Sequence, residues 1–564
     1  LMSAFVFGIP ETKIRVIAPQ VGGGFGTKIY LYPEYCLAAA ISRKLNRPVK
    51  WVETRQENYQ ATIHGRDHIT DLEVGASPDG RISSIKVHTY ANLGGTLSTI
   101  APGIPTTLYG RMLSGAYKIP HIFCKVVGVY TNTAMVDAYR GAGRPEATFV
   151  VERAVDLVAN ATGLDPAEVR RINFIQPEDF PYDPVGILNG LEYDSGDYEK
   201  TLDKALELAG YAGLRQEQEQ ARKEGRYLGI GLSSYIEICG AAPSSWIGVT
   251  GEGWGAAMWE SANLRVHLTG QAFLTIGTQS QGQGHETTMA QIAASELGIP
   301  VEDIIVQHGD TLGTPFGYGT YASRSAAVGG TAVFRSAQRI KEKARLIGAH
   351  MLEADPEDVV FEDGKVYVKG SPDQPKTIQE IAGAAALAYD LPEGMDPYLD
   401  DVTYYDPPAC TFPFGTHICI VEVDRQTGVV DLKRYLAVDD VGNVINPMIV
   451  DGQVHGGVAQ GIAQALWEGA VYDENGQLLT GSMMEYAFPK ADFFPSFETY
   501  RTETPSPVNP LGVKGVGEAG TIASTVAAYN AVLDALKPFG VENLTMPLTP
   551  EKVWNAMEEG EGHV

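Results

Sequence analysis

Apolar and polar positions switch repeatedly between a period of two and a period of three to four along this 564-residue chain. Leu1–Gly8 reads as the apolar end of a helix stopped by Gly8-Ile9-Pro10, so a preceding segment is expected to be missing. Lys13–Ala18 alternates through Ile14, Val16 and Ala18, which predicts a strand. It runs into the glycine-rich turn Val21–Lys28, after which Leu37, Ile41 and Leu45 recur at helical spacing. Residues 68–130 carry several alternating strands, with turn signals at Pro78-Asp79-Gly80 and Gly94-Gly95. Asn132–Ala147 is a polar, glycine-containing loop that leads into a helical run over Phe149–Ala161. Residues 197–226 are helical and highly charged, which predicts a connector between domains and places the divisions at 1–200, 201–226 and 227–564.

The second half repeats the theme. Ala272–Gly277 is strand-like, Gln279–His285 turns, and Met289, Ile292 and Leu297 continue as a helix. Val429–Asp439 predicts another strand. The helix Val454–Trp467 has Gly456, Gly457 and Gly461 embedded in it. A helical glycine costs about 1 kcal/mol against alanine, so three together imply that something packs very close to that backbone. Residues 385–416 are rich in proline and aspartate and read as an irregular loop over a funnel. Strands and helices intermix throughout, so the fold class is α+β, a mixed α/β chain.

Composition narrows the partners. The net charge of -26 argues against nucleic acid or an anionic membrane surface. No apolar run approaches the ~20 residues of a membrane-spanning helix. Cys36, Cys124, Cys239, Cys410 and Cys419 are scattered without a C-x-x-C pair, which argues against a locally built iron–sulfur or zinc site. The sparse, odd set fits a reducing, cytoplasmic compartment. Glycine is in excess, 63 of 564 residues or about 11% against a usual ~7%, and it sits in discrete turns.

The familiar phosphate and hydrolase motifs are absent. Val21–Lys28 is neither a dinucleotide fingerprint nor a Walker A loop, and no G-x-S-x-G surrounds a serine. What remains is four glycine-rich turns or helix starts, around Gly22–Gly26, Gly141–Gly143, Gly282–Gly284 and Gly515–Gly520. Helix N-termini and successive backbone N–H groups bind anions without cationic side chains. Convergence of the four turns would suit a large polar ligand with a pyrophosphate, its heterocycles read by the amides of Gln281, Gln283 and Gln460. Glu518, mounted among small residues at the head of the helical stretch Thr521–Leu536, is placed as a general base would be.

These segments, with Ala138-Tyr139-Arg140-Gly141-Ala142-Gly143-Arg144, Ser323-Arg324-Ser325 and Gly452-Gln453-Val454, carry a resemblance. The chain resembles the molybdenum-binding large subunit of the xanthine oxidase family, in its carbon monoxide dehydrogenase-like branch. The resemblance implies two large molybdopterin-binding domains with the cofactor buried between them, and an N-terminal hammerhead-type domain absent from this chain. It makes Glu518 the catalytic base beside molybdenum, and Arg140 a second catalytic residue in the loop over the metal with Gly141 and Ala142. Phe25 and Gly26 would line the metal's apical side, with Gly24 also in the cofactor site. Gln281, Gly282, Gln283, Gly284, His285, Thr320, Ser323, Arg324, Ser325, Gln453, Gln460, Lys514, Gly515, Val516 and Gly517 would complete the cofactor site. Molybdenum would be held by the pterin dithiolene, with no protein ligand, in a molybdopterin cytosine dinucleotide.

The resemblance further implies oxidation of an aldehyde or an electron-poor N-heterocycle, with water as oxygen source and Glu518 taking the proton. Electrons would leave through an iron–sulfur subunit and an FAD subunit, in a dimer of heterotrimers that includes an N-terminal molybdenum-subunit segment. Departures matter as well. Carbon monoxide dehydrogenases carry a copper-binding cysteine where this chain has Gly141, and copper needs a soft thiolate. Purine oxidases carry glutamate where Ile29 stands and phenylalanine where Ala142 stands, which disfavours a purine substrate. The alternatives are a carbon monoxide dehydrogenase large subunit and an inactive cofactor-binding fragment.

Overall fold

The alternating stretch after residue 67 pairs into one sheet, β1 (His68–Ala76), β2 (Ile82–Gly94) and β3 (His121–Tyr130), in that order. β1 and β2 form an antiparallel hairpin, whereas β3 returns parallel to β2 after a crossover of short helical turns over residues 101–108. This computed structural model describes residues 2–184, 191–240, 242–247 and 257–561. Within them Met2–Phe7 is helical, as the apolar opening predicts, and Leu1 lies outside the described residues.

Lys13–Ala18 is not a strand. The segment is extended but makes only the isolated bridge Ile17–Asp310, with Val16 and Ile17 half or more exposed. Alternation alone finds no neighbouring strand there. Helix α1 (Arg144–Thr162) starts five residues earlier than Phe149, capped by glycines with positive φ at both ends, Gly143 and Gly163. The charged stretch forms two helices, α2 (Tyr198–Ala209) and α3 (Tyr211–Lys223), broken at Gly210. Both are tied to the second half, since Lys204 donates to Arg501 O and Arg215 pairs with Asp534 at 2.8 Å.

Two four-stranded sheets follow. β4 (Tyr227–Ile236) opens one of them; β5 (Glu260–Val266), β6 (Ala272–Ile276) and β7 (Ile304–Gln307) open the other. Helix α4 (His285–Leu297) is the crossover that lets β7 run parallel to β6, and α5 (Thr331–Met351) packs on the same sheet. A small sheet of β8 (Val359–Glu362), β9 (Lys365–Val368) and β10 (Ser371–Thr377) follows, and β11 (Leu399–Tyr405) then joins β5. β12 (Phe414–Val423), β13 (Val430–Asp440) and β14 (Phe497–Thr502) complete the first sheet in the order β14-β13-β12-β4. The expected irregular loop 385–416 holds β11 and the start of β12, with irregular stretches on either side of β11. Backbone pairing with β5 overrides the proline- and aspartate-rich composition.

Helices α6 (Pro447–Leu466) and α7 (Ala519–Leu536) lie at the centre. Every residue of α7 is buried, as its near-absence of charge demands. Its one carboxylate, Asp534, accepts hydrogen bonds from Arg215, Gln218 and the Ile230 amide. The glycines of α6 are explained here. A Cβ at Gly461 would stand 1.9 Å from Ser524 Oγ, and one at Gly457 would stand 2.9 Å from Gly520 Cα. The two helices cross backbone to backbone, which fixes the head of α7 and the glutamate that precedes it.

Candidate active site

The four glycine-rich turns meet. They enclose a cavity of about 1170 Å³, above the ~300–1,000 Å³ of ordinary small-molecule sites. Of the residues expected there, all line the cavity except Gly141, Gly284 and Arg324. Arg324 is buried behind the wall: its guanidinium donates to Glu260 Oε1 at 2.5 Å and to the carbonyls of Gly319, Met258 and Trp259. It shapes the 317–323 loop from behind, so its expected contact with a cofactor is corrected. Gly284 caps α4, where its φ of +74° is easy for glycine. Residues 385–416 contribute nothing to the lining; the mouth is walled instead by Thr99, Ile100, Pro102, Ile104 and Leu108, which no motif marked.

Glu518 occupies the N-cap position of α7, where the helix presents its partially positive end. Its carboxylate is held by three donors from two segments. Oε1 accepts from the Gly141 amide at 2.7 Å, and Oε2 accepts from Arg144 Nη2 at 2.6 Å. Ser323 Oγ stands 3.1 Å from Oε2 and also accepts the Glu518 N–H at 3.1 Å. Gly141 is thus a backbone donor beside the cavity, with a φ of +102°.

Arg140 is engaged all round. Its Nε donates to Gly517 O at 2.6 Å, Nη1 to Gln460 Oε1 at 2.9 Å and Nη2 to Gln453 O at 3.0 Å. It ties the 138–144 loop to α6 and to the turn before Glu518. Arg66, which sequence reasoning missed, secures the same loop from outside by donating to Tyr139 O and Arg140 O at 3.0 and 2.6 Å. A positive φ of +72° at a non-glycine was its only mark, and that is invisible in sequence.

Arg144 and Glu237 are the other two residues missed. Arg144, 1% exposed, lies between two carboxylates, Glu518 at 2.6 Å and Glu237 at 3.7 Å. Burial pulls its pKa down, but the charges of Glu518 and Glu237 outweigh that and raise it. Glu237 follows β4 directly and is wholly buried. Burial first, then the charge of Glu518, pushes its carboxyl up to about 8 against the opposing pull of Arg144. A lone acid directly after the uncharged, buried run of β4 was the available signal.

The polar wall suits a dinucleotide of pterin type. Amides and hydroxyls of Gln281, Gln283, Thr320, Ser325, Gln453 and Gln460 face the cavity. His285 also lines it, with Nδ1 buried and unpartnered. Burial, and then His308, pushes its ring down to about 4, so it is neutral. A Cβ at Gly24 would stand 2.2 Å from Gln281 Oε1, so the first and third turns touch across the site. Among the described residues no group of three or more His, Cys, Asp or Glu is placed to hold a metal ion.

Comparison with known proteins agrees with this geometry. Two family models, each described as a molybdopterin cofactor-binding domain, match residues 1–174 and 204–495. The chain is 44% identical over 558 residues to the carbon monoxide dehydrogenase large chain of Hydrogenophaga pseudoflava, covering 98% of this chain and 68% of the relative. It is 36% identical to the nicotine 6-hydroxylase large subunit of Paenarthrobacter nicotinovorans, covering 97% of this chain and 67% of that protein. The solved structure of quinoline 2-oxidoreductase from Pseudomonas putida 86 superposes with a TM-score of 0.93 at 37% identity, covering 99% of this chain and 70% of that one. The chain therefore belongs to the molybdopterin-binding large subunits of the xanthine oxidase family, which are molybdenum-dependent oxidoreductases.

Proposed function

We propose that this chain is the catalytic subunit of a molybdenum hydroxylase that oxidises an electron-poor N-heterocycle or an aldehyde, using molybdopterin cytosine dinucleotide. The observation that carries the reading is Glu518, whose carboxylate faces the cavity while Gly141, Arg144 and Ser323 hold it from behind. The pterin-bound molybdenum, when present, supplies the two-electron oxidant and activates the water oxygen. Gln281, Gln283, Thr320, Ser325, Gln453 and Gln460 would hold its pterin and nucleotide. Glu518 accepts the proton released from water, with no reorganisation because its donors are already in place. Phe25, Ile29, Ile100, Ile104 and Leu108 offer apolar walls to a flat ring, excluding bulk water from the reacting carbon.

The nicotine and quinoline enzymes, named for N-heterocycles, favour that substrate class here. Two-electron turnover needs an outlet, and iron–sulfur and FAD partner subunits would provide it. A carbon monoxide dehydrogenase reading draws on the 44% identity to the Hydrogenophaga chain. Against it stands Gly141, where a Cβ would lie 2.3 Å from Pro145 Cγ, so a thiol side chain has no room. Among the described residues, no cysteine lines the cavity.

Metal and nucleotide analysis of the complex, joined to Glu518→Gln, tests the reading. The expected result is about one molybdenum per chain, released CMP and no copper, with turnover of a heterocycle or aldehyde abolished in the variant and cofactor content kept. Normal turnover in that variant would remove Glu518 from the mechanism. Stoichiometric copper would favour carbon monoxide oxidation.

A further inference from the structure

Ser323 carries one proton and two lone pairs, yet three groups meet at its hydroxyl. The Glu518 N–H donates to Oγ at 3.1 Å; Glu237 Oε1 lies 2.7 Å away and Glu518 Oε2 lies 3.1 Å away. If both carboxylates were ionised, the hydroxyl could donate to only one of them, and the other oxygen would face it with no proton between. If Glu237 carries the proton, every contact closes. Glu237 O–H donates to Ser323 Oγ, the Glu518 N–H donates to the same oxygen, and Ser323 O–H donates to Glu518 Oε2.

The charge arrangement agrees. One guanidinium serves two carboxylates and is closer to Glu518, at 2.6 against 3.7 Å. Glu237 Oε2 is buried without a nitrogen or oxygen donor, and the Cys239 thiol is only a weak donor to this carboxyl, an expensive setting for half of an anion and a tolerable one for a neutral carbonyl. The charged or titratable groups that face Glu237 are Glu518 at the head of α7, Arg144 in the first turn of α1, Arg140 in its loop, Tyr235 near the end of β4 and Cys239 two residues further along the chain. Burial raises both Tyr235 and Cys239 well above their usual range, so neither competes for the proton.

The geometry points to Glu237 as the neutral partner of a carboxyl–carboxylate pair, a positioning residue that keeps a proton at neutral pH so that Ser323 and Arg144 both serve Glu518. Its importance for turnover rests on Glu518 being the base; its protonation does not. Ionisation of Glu237, near pH 8, makes the two carboxylates compete for the Ser323 proton and for Arg144. Glu518 then loses a donor, and turnover should fall along an alkaline limb with that inflection.

Isotope-edited infrared spectroscopy of the holoenzyme complex, with glutamate labelled, reads this directly. A protonated-carboxyl band should be present at neutral pH, disappear through about pH 8, and be missing in Glu237→Gln. In Glu518→Gln, where the neighbouring charge is gone and Arg144 is released, its midpoint should move down by about one pH unit or more. Ser323→Ala supplies a sign test that does not need the Glu237 variant to fold. The midpoint moves down if Ser323 accepts from neutral Glu237, and up if Ser323 donates to an ionised one. In kinetics the alkaline limb should be absent from Glu237→Gln. A missing band in the native protein, an upward move in Ser323→Ala, or an alkaline limb unchanged in Glu237→Gln would overturn the proposal. Normal turnover in Glu518→Gln would instead sink the role of Glu518 as base, with the infrared result for Glu237 unaffected.

Discussion

Arg144 Nη2 donates to Glu518 Oε2 at 2.6 Å across 374 residues of sequence, from the first turn of one buried helix to the residue that heads another. The two helices pack side by side, with further contacts at Phe149–Tyr529 and Arg153–Asn530, so their N-terminal ends lie together at the carboxylate and the arginine fixes its orientation.

Removing that arginine should be severe. Arg144→Met removes the cation paired directly with Glu518, and breaking a buried pair this way costs about 3–5 kcal/mol. Denaturant unfolding should report a loss of that size, with turnover falling by about 100-fold or more. Arg144→Lys, which keeps the charge but not the planar fork, should recover stability better than turnover.

Gly141 makes a prediction about copper. Its φ is +102° and a Cβ there would meet Pro145 Cγ at 2.3 Å. Gly141→Cys should therefore lower stability by about 1–3 kcal/mol and perturb the amide that holds Glu518. Copper titration followed by activity with carbon monoxide should give no gain of function.

The crossing of α6 and α7 can be probed at a distance from the chemistry. Gly461→Val would push into Ser524 Oγ, 1.9 Å from the Cβ position. Overpacking of this kind costs about 1–3 kcal/mol. Because the head of α7 carries Glu518, the melting temperature and turnover should fall together. A variant that loses stability alone would show that the crossing does not set the position of Glu518.

His285 predicts a slope in stability on the acid side. Its ring sits at about 4 in the folded protein against an ordinary value of 6.5. Between those values the unfolded chain binds the extra proton, so stability is fully present above about 6.5 and falls as the pH drops toward 4. The slope from this one residue is about 1.4 kcal/mol per pH unit at most. Urea midpoints measured across that window should flatten in His285→Gln.

Much of the architecture was legible locally. The β1–β2 hairpin region, the helix after the Gln281–Gly284 turn, and α7 with its small apolar residues all follow from periodicity, turn chemistry and the absence of charge. The glycines within α6 announced a close approach, though not that Gly520 and Ser524 would make it. The glycine turns and Glu518 marked most of the cavity, because a backbone that must approach a ligand closely excludes side chains wherever it lies in the chain.

Other features belonged to tertiary structure alone. Lys13–Ala18 alternates like a strand but pairs only through the isolated bridge Ile17–Asp310, and 385–416 looks irregular but contains a strand paired with β5. Pairing partners are chosen by long-range packing, which no local pattern encodes. Arg324 sits in a motif with cavity residues yet faces Glu260, because neighbouring residues in a turn point in opposite directions. Ser323, Arg144, Glu237 and Glu518 come from four separate segments. The sequence determined which groups were available to the site. Only the fold decided that one arginine and one hydroxyl would be shared by two glutamates, since side chains from four segments meet only through long-range packing.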